Sequence, residues 1–169
     1  MAGYDISMHW RQFVLAPFGA LLEAEARLAE EPDGFNAMRA GITAAFFIYH
    51  FHEVAWARGQ FGGDSLADVR QRIEQAAKTD HDDKRVEDHE LLGDVVNAVK
   101  HGFLNKTKLL LPGDNRVLLI SPGRVMTYNE ESRGGDLMVV VETEGGDRSL
   151  AVVCQNVIIG WHSTLGLPI

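Results

Sequence analysis

The run from Gly41 to Ala57, Gly-Ile-Thr-Ala-Ala-Phe-Phe-Ile-Tyr-His-Phe-His-Glu-Val-Ala-Trp-Ala, is apolar on nearly every side. A helix that is hydrophobic all round is a buried helix. At about 1.5 Å per residue the run is too short and too polar to cross a bilayer, and it is too long for a typical strand. It predicts the central helix of a bundle, which the rest of the chain must wrap. The polar exceptions Thr43, His50 and Glu53, with Arg39 before them, fall within an arc of about 80° at 100° per residue. They form one stripe.

Around that helix the spacing of apolar residues sets out the remaining elements. Ser7 is placed to cap a first helix carrying Trp10, Phe13, Val14, Phe18, Leu21, Leu22 and Leu28, with a kink or a true start at Pro17. That helix should end before Glu31-Pro32-Asp33-Gly34, and the second should run from about Phe35 to Arg58 with Gly59 as a left-handed stop. Ser65 and Asp68 make an imperfect capping box for a third helix whose apolar face is Leu66, Val69, Ile73, Ala76 and Ala77. Asp80-His81-Asp82-Asp83-Lys84 reads as a solvated connection. A fourth helix, about Asp88 to Leu104, buries Leu91, Leu92, Val95, Val96, Val99 and Phe103.

Beyond Lys108 the pattern changes to short β-rich runs divided by turn residues: Val117 to Ser121, Val125 to Tyr128, Leu137 to Glu142 and a piece near Ser149. An antiparallel meander follows from this. Leu150, Val153, Cys154, Val157, Ile158, Trp161 and Leu165 return to helical spacing and give a closing helix. The fold class expected is α+β and mainly α: a four-helix bundle around a buried central helix, a small antiparallel meander and a C-terminal helix. One domain over residues 1–169 is expected, with the bundle in 1–106, the meander in 107–149 and the closing helix and tail in 150–169.

Composition narrows the function classes. A hydrophobic content of 46% with 24% charged residues is ordinary for a globular chain. The formal net charge of −8 repels a phosphate backbone at long range and so disfavours RNA as a non-specific partner. A single cysteine forms no internal disulfide, and the N-terminus has neither a basic start nor an apolar run before a cleavage site; a cytoplasmic location without membrane contact is the expectation. P-loop, dinucleotide-fingerprint and nucleophile-elbow spellings do not occur, so those chemistries lose their usual signatures. Cys154, on the apolar stripe of the closing helix, reads as a packing residue.

Two constellations carry the chemistry. On the fourth helix Glu90, Asp94, Asn97 and His101 share an arc of about 60°, nearly opposite the apolar face. Such a stripe is ordinarily a solvated face. Should it meet the stripe of the central helix, two imidazoles and two carboxylates share a pocket fit for acid and base work or for a divalent metal. His50, Glu53, Asp94 and His101 are the ligands of that alternative metal reading, in which a divalent metal is the only cofactor; otherwise none is expected. A di-iron site would want Glu-x-x-His on two helices, whereas this chain has one reversed His50-x-x-Glu53. His50 alone reads as a core histidine satisfied by Glu53, and His52 points about 200° away from it.

The run Leu92-Gly93-Asp94-Val95-Val96-Asn97-Ala98-Val99-Lys100-His101 resembles an Asp-x-x-Asn-x-x-Lys-His pattern in small bacterial proteins distantly similar to HEPN domains. Tyr49-His50 upstream and Trp161 near the C-terminus match the layout of those proteins. The resemblance implies a helical bundle, often a homodimer, and in catalytically active members a metal-independent ribonuclease. It carries over Asn97 and His101, and with Asp94 these are the expected catalytic positions. The ribonuclease pattern has four to six residues between its arginine and its histidine; this chain lacks that spacing, since only three residues separate Arg85 from His89. The leading expectation is a HEPN-like, RNA-directed protein related to ribonucleases. A non-catalytic dimerising interaction protein and the metal-binding bundle are the alternatives.

Overall fold

The computed structural model describes residues 5–28, 30, 34–77, 79–81, 84–101, 118–122, 137–143 and 146–169. For 79–81, 84–86, 101, 118–122, 137, 142, 146 and 147 it describes the backbone alone.

The N-terminal helix is one rod in three parts: α1 (Ile6–His9), a π-helical segment (Trp10–Leu15) and α2 (Ala16–Arg27). Its N-cap is Asp5 rather than Ser7, with the Ser7 amide donating to Asp5 Oδ1 at 3.3 Å. Helix α2 begins at Ala16 with Pro17 in its first turn, one residue from the expected start. The Ala16 amide reaches five residues back to the Arg11 carbonyl, the wider turn that ends the π-helical segment. Trp10 and Val14 of the π-helical segment are fully buried.

The central helix α3 (Gly34–Ala57) is where the all-round apolar run places it. It packs against α2, α4 (Leu66–Ala76), α5 (Asp88–His101) and α6 (Leu150–Leu165). Gly59 follows with a φ of 69°, a conformation costly for any side chain-bearing residue, and so ends the helix. The capping box of α4 is complete: the Asp68 amide donates to Ser65 Oγ, and the Ser65 amide donates to the Asp68 carboxylate at 3.0 Å. Helix α5 is described as far as His101; residues 102–104 of the expected helix lie outside the described residues.

The described residues are mainly helical with two small antiparallel sheets. Asp80, His81 and Lys84 of the expected solvated connection are in strands, β1 (Thr79–His81) pairing antiparallel with β2 (Lys84–Val86) from Thr79↔Val86 to His81↔Lys84, and residues 82 and 83 lie outside the described residues. The expected meander is present as β3 (Leu118–Pro122), β4 (Leu137–Thr143) and β5 (Gly146–Ser149), in that order across the sheet. Its register runs from Leu118↔Val141 to Pro122↔Leu137 and from Val140↔Ser149 to Thr143↔Gly146. The expected strand at Val125 to Tyr128 lies outside the described residues.

The closing helix does more than cover the sheet. Ser149 ends β5 and also caps α6, and α6 then threads into the bundle beside α3, α4 and α5. Val139 and Val141 of β4 join the same hydrophobic core as Trp10, Ile48, Phe51, Leu92 and Trp161, so sheet and bundle share one interior. Just beyond the β4–β5 ladder the Val139 amide donates to Glu25 Oε1 at 2.8 Å. Burial raises the pKa of that carboxyl, partly offset by this bond. Trp10 Nε1 donates to the Pro168 carbonyl at 2.6 Å, tying the first rod to the C-terminal tail.

Candidate functional site

Helices α3 and α5 come together at Tyr49. Its ring lies against Gly93 of α5, where the missing Cβ makes room for it, and the residue is 6% exposed. Three imidazoles surround it, with ring centroids at 5.0 Å for His50, 5.1 Å for His52 and 5.0 Å for His89. From α4 the Arg70 guanidinium lies over the same ring, Cζ to centroid 5.4 Å. Three helices thus converge on one aromatic side chain.

Beneath the ring the polar groups are sealed. His52, His89 and Asp94 are 3%, 0% and 0% exposed. The Tyr49 main-chain carbonyl accepts from His52 Nδ1 at 2.5 Å and from His89 Nε2 at 3.3 Å, which places a proton on each of those nitrogens. His89 and His52 rings stand edge to face, 5.2 Å apart. Glu74 Oε1 is 3.4 Å from Arg70 Nε and 3.9 Å from His89 Nδ1.

Electrostatics follow from this packing. Burial raises the Tyr49 phenol above its ordinary value; Arg70 opposes the rise, while Glu74, Glu53 and Asp94 add to it. At neutral pH the phenol therefore keeps its proton. The Glu74 carboxyl is held low, first by its hydrogen-bonding interaction with His89 and then by the charges of His89 and Arg70, against the cost of burial. Burial depresses His52 to about 4; the bond to the Tyr49 carbonyl offsets part of this, and His89 and Arg70 lower it further.

A test of this burial is acid stability. Because the folded His52 resists a proton that the unfolded chain accepts near 6.5, stability present above that pH is lost as the pH falls toward 4. Between pH 7 and 4.5 the wild type should lose about 2 kcal/mol more than His52→Gln in urea titrations, a figure discounted for partial solvent screening. Equal losses would mean that His52 is not sealed.

At the rim the groups are open. His50 Nδ1 and Glu53 Oε1 are 3.1 Å apart, with side chains 32% and 53% exposed. The Phe46 ring flanks His50 at 4.6 Å. The buried histidine of α3 is therefore His52, whereas His50, expected in the core, lies at the surface with its expected partner Glu53. Of the expected catalytic residues, Asp94 faces inward within electrostatic reach of Tyr49, and Asn97 is half-buried on the next turn. His101 ends α5, and its side chain lies outside the described residues. Among the described residues no three His, Cys, Asp or Glu side chains are grouped to hold a metal ion; the four-ligand metal reading also needs His101.

Arg70, Glu74, His52 and His89 were not expected at this site. The spacing of Arg70 and Glu74 on α4 is the one local signal, since residues four apart share a helix face. Away from the site, Cys154 is fully buried, and burial raises its thiol further above the ordinary value, as suits a packing residue. Comparison of the chain with protein-family models, curated proteins and solved structures finds no match. Among the described residues no helix is long and apolar enough to cross a membrane.

Proposed function

We propose that the chain is a HEPN-like, RNA-directed protein that cleaves a phosphodiester without metal, at the rim around Tyr49. The observation that carries this reading is that an open imidazole–carboxylate pair, His50–Glu53, and a guanidinium, Arg70, flank one tyrosine ring. Such cleavage needs a base for the attacking hydroxyl and a cation for the charge that develops on phosphorus. With Nδ1–H turned to Glu53, His50 presents a bare Nε2 to take the proton of a ribose 2′-hydroxyl. The 2′-oxygen then bonds to phosphorus and the 5′-oxygen leaves, taking a proton from solvent and giving a 2′,3′-cyclic phosphate. Arg70 supplies the cation that the linear motif lacks. On α5, Asp94 lies within electrostatic reach of Tyr49, and Asn97 follows on the next turn.

The test is cleavage of single-stranded RNA in EDTA, beside the same strand with a 2′-deoxy linkage. Wild type should cut only the ribose strand. His50→Ala and Arg70→Ala should each lower the rate by about 100-fold or more. A wild type that leaves RNA intact, or variants that cut as fast as wild type, would overturn the reading.

A further inference from the structure

Where α3 gives way to α4 the chain forms a cleft that the cleavage step does not use. Its volume is about 350 Å³; Trp56 and Phe61 are its aromatic lining, and Gly59, Gly62, Gly63 and Asp64 complete it. The glycines bring no side chain, and apart from their chain neighbours no atom lies within 4 Å of where a Cβ would stand on any of them. A ligand can approach that backbone closely.

Both rings are held in place. Trp56 Nε1 donates to the Asp64 carbonyl at 2.9 Å, and Phe61 meets the buried Trp161 edge to face with centroids 6.3 Å apart. Trp56 is nevertheless 45% exposed, whereas the other two tryptophans of the chain, Trp10 and Trp161, are fully buried. An indole pinned at its edge and open to solvent is a stacking surface.

The pairing of ring and guanidinium seen at Tyr49 is repeated here. Helix α4 sends Arg70 over the Tyr49 ring and, two residues on, Arg72 over the Phe61 ring, Cζ to centroid 5.5 Å. Arg72 Nη2 donates to Asp64 Oδ2 at 2.6 Å, and the side chain is 55% exposed, so its other donors can meet an anion. Trp56 follows Tyr49 by seven residues, which sets it within about 20° of the same side of α3 and about 10 Å further along the axis. One helix face leads from the rim to the cleft.

We propose that the cleft is a nucleobase subsite, in which one base of a single strand stacks on Trp56 beside Phe61 and the adjoining phosphate pairs with Arg72. Two aromatic rings suit a flat π-system, and the Asp64 carboxylate, an acceptor, suits the N–H donors that every base carries on its edge. With a net charge of −8 the chain offers no general attraction to a phosphate backbone, so affinity here comes from stacking and one local cation. This deepens the reading above and rests on it only for the strand's being RNA.

The experiment titrates the intact protein with a short RNA whose 2′-oxygens are methylated, a strand that binds without being cut, and follows tryptophan fluorescence. Emission from the exposed indole should be quenched. Trp56→Ala should weaken binding about tenfold, read from the anisotropy of an end-labelled strand, whereas Trp56→Phe should keep most of it. A strand of the same length without bases should bind wild type about tenfold more weakly and be indifferent to Trp56→Ala. Because the wild-type comparison of the two strands needs no variant, misfolding cannot imitate it. Arg72→Gln should lower the slope of log affinity against log salt by about 0.7, the loss of one phosphate contact on a single strand. Binding that ignores removal of the bases, binding without a change in Trp56 emission, or no binding at all would overturn the proposal. Equal affinity for a short tyrosine-rich peptide would do the same, by making the cleft a protein contact. Since the methylated strand reports binding and not scission, RNA left intact in the cleavage assay would remove the catalytic reading and leave these outcomes standing.

Discussion

Asp88→Ala should destabilise the fold by about 3–5 kcal/mol, the cost of removing one member of a buried ion pair. Asp88 is fully buried at the start of α5, where Arg148 engages both carboxylate oxygens, Nη1 on Oδ1 and Nη2 on Oδ2 at 3.3 Å. Asn156 Nδ2 donates to Oδ2 at 2.7 Å. The Arg148 side chain is only 14% exposed, so alanine leaves a largely buried guanidinium without its Asp88 counter-charge. A carboxylate in the first turn also complements the helix dipole. The clamp joins α5 to β5 and α6, and so fixes the position of His89, the very next residue, against Tyr49. Urea denaturation measures the loss, and Asp88→Leu with Arg148→Met should recover most of it because no charge is then stranded. A single-variant loss below about 1 kcal/mol would place the pair in solvent instead.

Much of the architecture is legible where one residue's neighbours along the chain decide its state. The all-round apolar run marks α3; Ser65 with Asp68 marks the start of α4; Gly59 marks a stop. The pairing of β1 with β2 escapes such reading because its three residue pairs are held by backbone bonds, which a run of charges conceals. The π-helical turn escapes it too, since Pro17 signals trouble with the helix but not how the preceding residues absorb it.

The site divides along the same line. The His50–Glu53 pair is local and follows from helical spacing, whereas the wheel alone cannot say which side of an apolar helix faces water. That is why His52, and not His50, is the buried imidazole. Likewise Asp94 sits in a polar stripe that would be solvated on an isolated α5, yet in the fold it is fully buried. Arg70 reaches Tyr49 only through the packing of α4 on α3, a contact between residues distant in sequence that no linear motif encodes.

The close approach of α3 and α5 predicts the second large effect: Gly93→Val should cost about 3 kcal/mol, at the upper end of overpacking penalties. A Cβ at Gly93 would lie 2.6 Å from Tyr49 Cε2 and 2.8 Å from Cζ, closer than non-bonded carbons approach. The ring has nowhere to retreat, with His52, His89 and Arg70 packed around it within 5.4 Å. Valine adds two further methyl groups to that clash, whereas alanine adds only the Cβ and also gains up to about 1 kcal/mol of helix propensity over glycine. The sign of the Gly93→Ala effect therefore depends on the ring. In the otherwise wild-type chain alanine should destabilise in urea titrations, and in a Tyr49→Ala background the same substitution should stabilise. Destabilisation in both backgrounds would show that something other than Tyr49 requires the glycine, and the convergence of three helices on that ring would lose its physical basis.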